Sequence, residues 1–278
     1  MTDGEGPRER PWWSVLRISI CALMALLMLA PLAIVLIISF SSAPFLTFPP
    51  PGFSLQWYRT FFGDADWMET LWTSIRIMLP TSLIATALGT AAAIGIGRGR
   101  IPGAALIVGL LMAPLVVPVI ITAAAIFGAF RAWGLYGTLP GLILAHTVLT
   151  IPFVLSTVLA ALRLVDKTLE DAALTLGATH WKAFWRITFP MILPAVISGL
   201  LFALVISFDE LVVSLFISTP YIRPITVQMW SDVRGAVDPT ITAIATSLFA
   251  FTLCVMLLER LIARRFKSPQ RQQFTLGF

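Results

Sequence analysis

The 278-residue chain is 58% hydrophobic and 12% charged, whereas an ordinary soluble domain carries about 25% charged residues. A water-soluble fold cannot hide that much apolar surface, and with a mean hydropathy of +0.91 the composition points to a polytopic α-helical membrane protein. The net charge of +5 would suit nucleic acid, but the basic residues flank apolar runs, where membrane topology accounts for them without a nucleic-acid partner.

Six windows meet the requirement of roughly 20 apolar residues per span: residues 15–40, 71–96, 104–130, 139–162, 191–217 and 240–258. The first follows a short N-terminal segment, 1–14, containing Arg8 and Arg10. Its apolar stretch outlasts the 7 to 15 residues of a secretory signal, so it reads as a retained anchor. An external loop, 41–70, opens with Pro44, Pro49, Pro50 and Pro51, which stop the preceding helix. The remaining five spans form a core over 71–262, with a cytoplasmic loop at 163–190 and a cytoplasmic tail at 263–278. Pro114, Pro118 and the many small residues are ordinary in membrane helices. Gly95, Gly97 and Gly99 suit a tight turn rather than a dinucleotide fingerprint.

Basic residues accumulate on the cytoplasmic side of short loops. With the N terminus inside, that side holds Arg8, Arg10, Arg17, Arg98, Arg100, Arg163, Lys167, Lys182, Arg186, Arg260, Arg264, Arg265, Lys267 and Arg271. The other side keeps Arg59, Arg76, Arg131, Arg223 and Arg234, so both termini are expected in the cytoplasm. Trp12 and Trp13 on one side, and Trp57, Tyr58, Trp67 and Trp72 on the other, suit interfacial belts.

The chain has no G-x-x-x-x-G-K-[ST] phosphate loop, so any nucleotide-driven work belongs to another subunit. His146 and His180 are its only histidines, and neither has a Cys, Asp or Glu at ligand spacing. Cys21 and Cys254 fall inside apolar runs. No metal site, cofactor or catalysis is expected within this chain.

The loop between the fourth and fifth spans predicts a short capped helix. Asp166 can cap its N terminus, Glu170 and Asp171 suit the early turns, and Gly177 can close its end. Val165, Leu169, Ala172 and Leu176 form an apolar stripe, and an amphipathic piece bearing Trp181, Phe184 and Trp185 follows. On these residues alone the pair could be a hairpin lying against lipid headgroups. Asp171-Ala172-Ala173, then Gly177 and Ala178, then Ile187-Thr188-Phe189-Pro190 resemble the E-A-A-x3-G-x9-I-x-L-P loop of type I ABC importer permeases at the same spacing, with Asp for Glu and Phe for Leu. The resemblance implies a six-helix permease fold and a coupling helix, with Glu170, Asp171, Ala172, Ala173, Gly177, Ala178, Ile187 and Pro190 engaging an ATPase subunit.

In the fifth window, Asp209 and Glu210 interrupt an apolar run. A carboxylate near a helix centre opposes insertion by roughly 2.5 to 3.5 kcal/mol, so both should avoid lipid. They can attract a cationic solute, or form structural ion pairs with Arg131, Arg223 or a partner chain. The stretch from Ser207 to Ile217, with Thr226 to Trp230 and Val237 to Thr246, is similar to the second permease of spermidine/putrescine importers. That resemblance implies ATP-driven polyamine uptake across a bacterial inner membrane, a dimeric ATPase holding ATP and Mg, a second and different permease, and an external solute-binding protein. Permeases for an opine, an amino-acid derivative or ferric ion share the style, and an ion-coupled secondary transporter is the rival from another class.

Overall fold

The computed structural model describes residues 11–99, 101–235 and 238–266. In chain order its helices are α1 (Pro11–Ser39), α2 (Gln56–Gly63), α3 (Ala65–Arg98), α4 (Ala104–Val116), α5 (Val119–Ala132) and α6 (Leu139–Leu164). There follow α7 (Lys167–Thr175), α8 (His180–Ala183), a π turn (Phe184–Thr188), α9 (Phe189–Asp209), α10 (Val212–Ile217), α11 (Ile225–Arg234) and α12 (Thr240–Phe266).

Among the described residues, five stretches are long and apolar enough to cross a bilayer: Val15–Ser39, Ala65–Arg98, Leu139–Leu164, His180–Asp209 and Thr240–Ile262. The third window is broken. Its halves α4 and α5 meet at 107° and complete a set of six if counted as one span. Of the two prolines expected to be ordinary, Pro114 stays within α4 while Pro118 makes this break. Val117 precedes Pro118 and is pushed to extended backbone (φ −74°, ψ 132°), which ends α4, and Pro118 opens α5. The fifth window also stops early, at Asp209, because Glu210 leaves the helix with extended backbone.

The chain divides into two compact units. One comprises, among the described residues, those up to Gly63 together with Asp232–Phe249. Within it, the segment after α1 folds back through a bridge between Ser41 and Phe53. Trp57 Nε1 donates to the Ser41 carbonyl at 2.8 Å, and the Ser39 and Tyr58 hydroxyls lie 2.8 Å apart. Asp238 caps α12 by accepting from the Thr240 N–H at 2.7 Å and its hydroxyl at 2.8 Å.

The other unit comprises Asp64–Ser231 and, among the described residues, the part of α12 from Ala250 on. α3 begins at Ala65 with Asp64 accepting from the Asp66 and Trp67 N–H groups, and it runs unbroken through Gly95 and Gly97 to Arg98. Trp67 is buried rather than presented to an interface. Of the three glycines expected to turn the chain, only Gly99 lies past the helix. α3, α6 and α9 share a core of Ala85, Ala93, Val154, Leu155, Val158, Ile192 and Ala203. A methyl group added at Gly89 would come within 2.8 Å of the Val154 side chain, and one at Gly199 within 3.2 Å of it. Small residues thus set how closely α3 and α9 approach α6, the device by which membrane helices gain van der Waals contact without a hydrophobic driving force. A second cluster joins Ile77, Ala123, Phe130, Leu142, Ala145, Val213 and Ile217.

Candidate functional site

The resemblance loop folds as a capped helix. The Asp166 carboxylate accepts from the Thr168 N–H at 2.9 Å, and this bond, assisted by the Thr168 hydroxyl, holds its carboxyl below the ordinary range. At the far end Gly177 takes φ +88°, its N–H donates to the Leu174 carbonyl at 3.0 Å, and the Ala178 N–H donates to the Ala173 carbonyl at 3.0 Å. These paired bonds satisfy the last orphan carbonyls of α7 and require the left-handed residue that glycine supplies.

α7 buries none of its own residues. Of the apolar stripe expected there, only Val165 is covered; Leu169 and Ala172 are exposed, and Leu176 is 88% exposed. The helix is fastened by polar contacts instead. Glu170 turns inward, where its Oε1 accepts from Arg98 Nε at 3.0 Å and from the Thr188 hydroxyl at 2.5 Å. Arg98 Nη2 donates to the Val165 carbonyl at 2.9 Å. Asp171, Ala172, Gly177 and Pro190 are exposed, whereas Ala173, Ala178 and Ile187 are half-buried. The amphipathic piece after α7 is no separate helix. α8 and the π turn run directly into α9, with the Trp185 ring edge-on to Trp181 (5.5 Å) and tilted against Phe189 (4.7 Å).

A second polar cluster lies where α9 breaks. Glu210 Oε1 and Oε2 accept from the N–H groups of Val213 and Ser214, each at 3.0 Å, so this carboxylate caps α10. The Thr226 hydroxyl donates to the Glu210 carbonyl at 3.2 Å. Non-helical backbone inside a span is tolerated where protein groups satisfy it, and these bonds do so. His146 of α6 is 1% exposed and faces the same break. Its Nδ1 lies 3.1 Å from the Ser207 carbonyl and 3.0 Å from the Ser207 hydroxyl, while Nε2 lies 2.9 Å from the Ser214 hydroxyl and 4.0 Å from Glu210 Oε2. A carbonyl only accepts, so the ring proton belongs on Nδ1 and the Ser214 hydroxyl donates to Nε2.

His146 was invisible as a site residue in the sequence because its partners are 61 and 68 positions away. The one available signal was an ionisable side chain inside a span, which by itself marks a candidate site. Asp209, next to Glu210, is exposed. Among the described residues neither carboxylate pairs with Arg131 or Arg223. Arg131 sits over the Phe127 ring at 5.8 Å, and Arg223 lines a cleft of about 160 Å³ with Asp66, Glu69 and Tyr221. Among the described residues no group of three His, Cys, Asp or Glu side chains could hold a metal ion.

Apolar spans, a broken helix carrying acidic residues and an exposed capped loop helix define a multi-pass membrane transport subunit. A family model for binding-protein-dependent transport system inner membrane components matches residues 85–268. The chain belongs to that family, and it is a bacterial inner-membrane permease component. It is similar to the putrescine transport system permease protein PotI of Escherichia coli strain K12, with 35% identity over 85% of each chain. It is also similar to the spermidine/putrescine transport system permease protein PotC of Haemophilus influenzae, with 31% identity over 77% of this chain and 83% of that one. Among solved structures, a bacterial ABC transporter involved in the import of the acidic polysaccharide alginate matches 94% of this chain and 98% of its own, with a TM-score of 0.74 and 17% identity. That likeness supports the fold.

Proposed function

We propose that this chain is the membrane-spanning subunit of an ATP-driven polyamine importer, and that α7 is the helix on which a separate ATPase docks. The observation that carries the docking assignment is the two-sidedness of α7: Glu170 ties one side to the ends of α3 and α9, while Asp171, Ala172 and Gly177 remain exposed on the helix and its cap. A plain headgroup-binding helix would flank its exposed apolar residues with basic ones, whereas α7 itself carries one lysine, Lys167, against Glu170 and Asp171. ATP and Mg then reside on the ATPase dimer, the N and C termini face the cytoplasm, and a second, related permease completes the pathway. An external solute-binding protein delivers the solute, in keeping with the family's description.

Polyamine as solute is supported by the names of the relatives and by the exposed Asp209, a carboxylate that can attract a cation as it enters. Glu210 is assigned a structural role, since both its oxygens are engaged in capping α10.

The test is to purify the native complex through a tag on this chain, reconstitute it in vesicles, and add the solute-binding protein loaded in turn with putrescine, spermidine, an amino acid or ferric ion. ATP hydrolysis and uptake stimulated by a polyamine alone are the expected result. Stimulation by another solute alone would move the substrate assignment, and the absence of any ATPase from the complex would overturn the docking assignment.

A further inference from the structure

Arg98, Glu170 and Thr188 reach one point from three elements. Arg98 is the last residue of α3, Glu170 lies in the first turn of α7, and Thr188 ends the π turn that leads into α9. Arg98 and Glu170 are 72 positions apart and meet at 3.0 Å with each side chain only 19% exposed, so the ion pair is largely withdrawn from water. Such a pair is costly to break, because either partner left alone keeps an uncompensated charge. The second bond of Arg98, to the Val165 carbonyl just past α6, draws the linker into the same junction.

We propose that Glu170 is the positioning residue through which a displacement of α7 is carried to α3 and α9, so that ATPase motion reaches the transport pathway. This rests on the reading of α7 as the docking helix. α7 has no buried residue of its own to transmit a push by packing, so the polar junction is its rigid connection to the spans. Thr188 is fully buried, and the Glu170 carboxylate is the hydrogen-bond partner of its hydroxyl. Neighbouring residues on a helix point about 100° apart, which allows Glu170 to face inward while Asp171 beside it is exposed.

The test compares Glu170→Ala, Thr188→Val and the exchange Arg98→Glu with Glu170→Arg in the reconstituted complex, reading ATPase copurification, ATP hydrolysis and solute uptake per ATP. In Glu170→Ala the ATPase should remain bound and active while uptake per ATP falls by about fivefold or more, the lower end of a typical coupling between sites. Thr188→Val, which keeps side-chain shape and replaces the hydroxyl with a methyl group, should give a smaller loss in the same ratio, and the exchange should restore part of the Glu170→Ala loss. A role confined to folding would lower the yield or melting temperature and leave uptake per ATP unchanged. Unchanged uptake per ATP in both Glu170→Ala and Thr188→Val overturns the proposal. Should Glu170→Ala not assemble, Thr188→Val and the exchange decide it. A wild-type complex lacking any ATPase would overturn the docking assignment and this proposal together, whereas an unchanged ratio in an ATPase-bound complex overturns this proposal alone.

Discussion

Nε2 of His146 lies 2.9 Å from the Ser214 hydroxyl, which ties α6 to α10 across the break that follows Asp209. Through Ser214, whose N–H is held by Glu210, the histidine also fixes where the short helix begins.

Replacing His146 by Ala should leave the Ser207 carbonyl and the Ser214 hydroxyl without their ring partner in a site closed to water. An unsatisfied buried polar group costs roughly 1 to 3 kcal/mol. The melting temperature of the purified protein in detergent should fall accordingly, and Ser214→Ala, which leaves Nε2 unpaired, should fall less. A melting temperature unchanged in both variants would show that the break holds without this contact.

Asp209 and Glu210 should separate by phenotype. Asp209→Asn, at an exposed position, should reduce polyamine uptake while leaving thermal stability and subunit assembly as they are. Glu210→Ala removes the cap of α10 and should cost about 0.5 to 2 kcal/mol, the range for lost helix caps. Thermal unfolding and uptake measured on the same preparations check the pair; equal effects on stability would erase the distinction.

Gly89 gives a packing test. A Cβ there meets Val154 at 2.8 Å and the Leu155 backbone nitrogen at 3.2 Å, so Gly89→Ala overpacks the contact between α3 and α6. A destabilisation of about 1 to 3 kcal/mol is expected. Val154→Ala in the same chain should recover part of it by opening space, measured as a double-mutant cycle on melting temperature.

Gly177 tests conformation rather than space. Nothing lies within 4 Å of an added Cβ, yet φ is +88°, so Gly177→Ala strains the backbone by about 1 to 2 kcal/mol without a clash. ATPase association should weaken, and Gly177→Asn, a residue that tolerates this region, should be milder.

The Asp166 cap has a defined pH window. Its carboxyl is held below the ordinary value of 3.8, mainly by the Thr168 N–H, so its contribution is present in full above that value and is lost as pH falls through the lowered one. Uptake between pH 5 and 8 should therefore be insensitive to this group, while Asp166→Ala should weaken α7 at every pH in that range. Uptake of both forms across those pH values checks it.

Much of this architecture is readable from local pattern. The long spans follow from runs of apolar residues, and the ends of α7 follow from Asp166 and Gly177, because caps are set by residues within one turn. The breaks are harder to see. A window averaging hydropathy passes over Pro118 and Glu210, since Leu, Val and Ile on either side outweigh them, although each redirects the backbone. The side-chain junctions were hidden altogether. Glu170 reads as a dipole-favouring residue of α7, and only folding brings Arg98, 72 positions earlier, against it. The apolar stripe of α7 failed for a related reason: periodicity shows that residues share a face, not that anything covers it.

The π turn ahead of α9 has a mechanical implication. Such a turn contains one residue more than the regular spiral around it, where each residue advances 1.5 Å and turns about 100°. That surplus residue offsets the spiral register of Trp181, ahead of the turn, from that of the membrane-embedded shaft behind it, so the direction in which the leading indole projects is set by the turn and not by the shaft's own repeat.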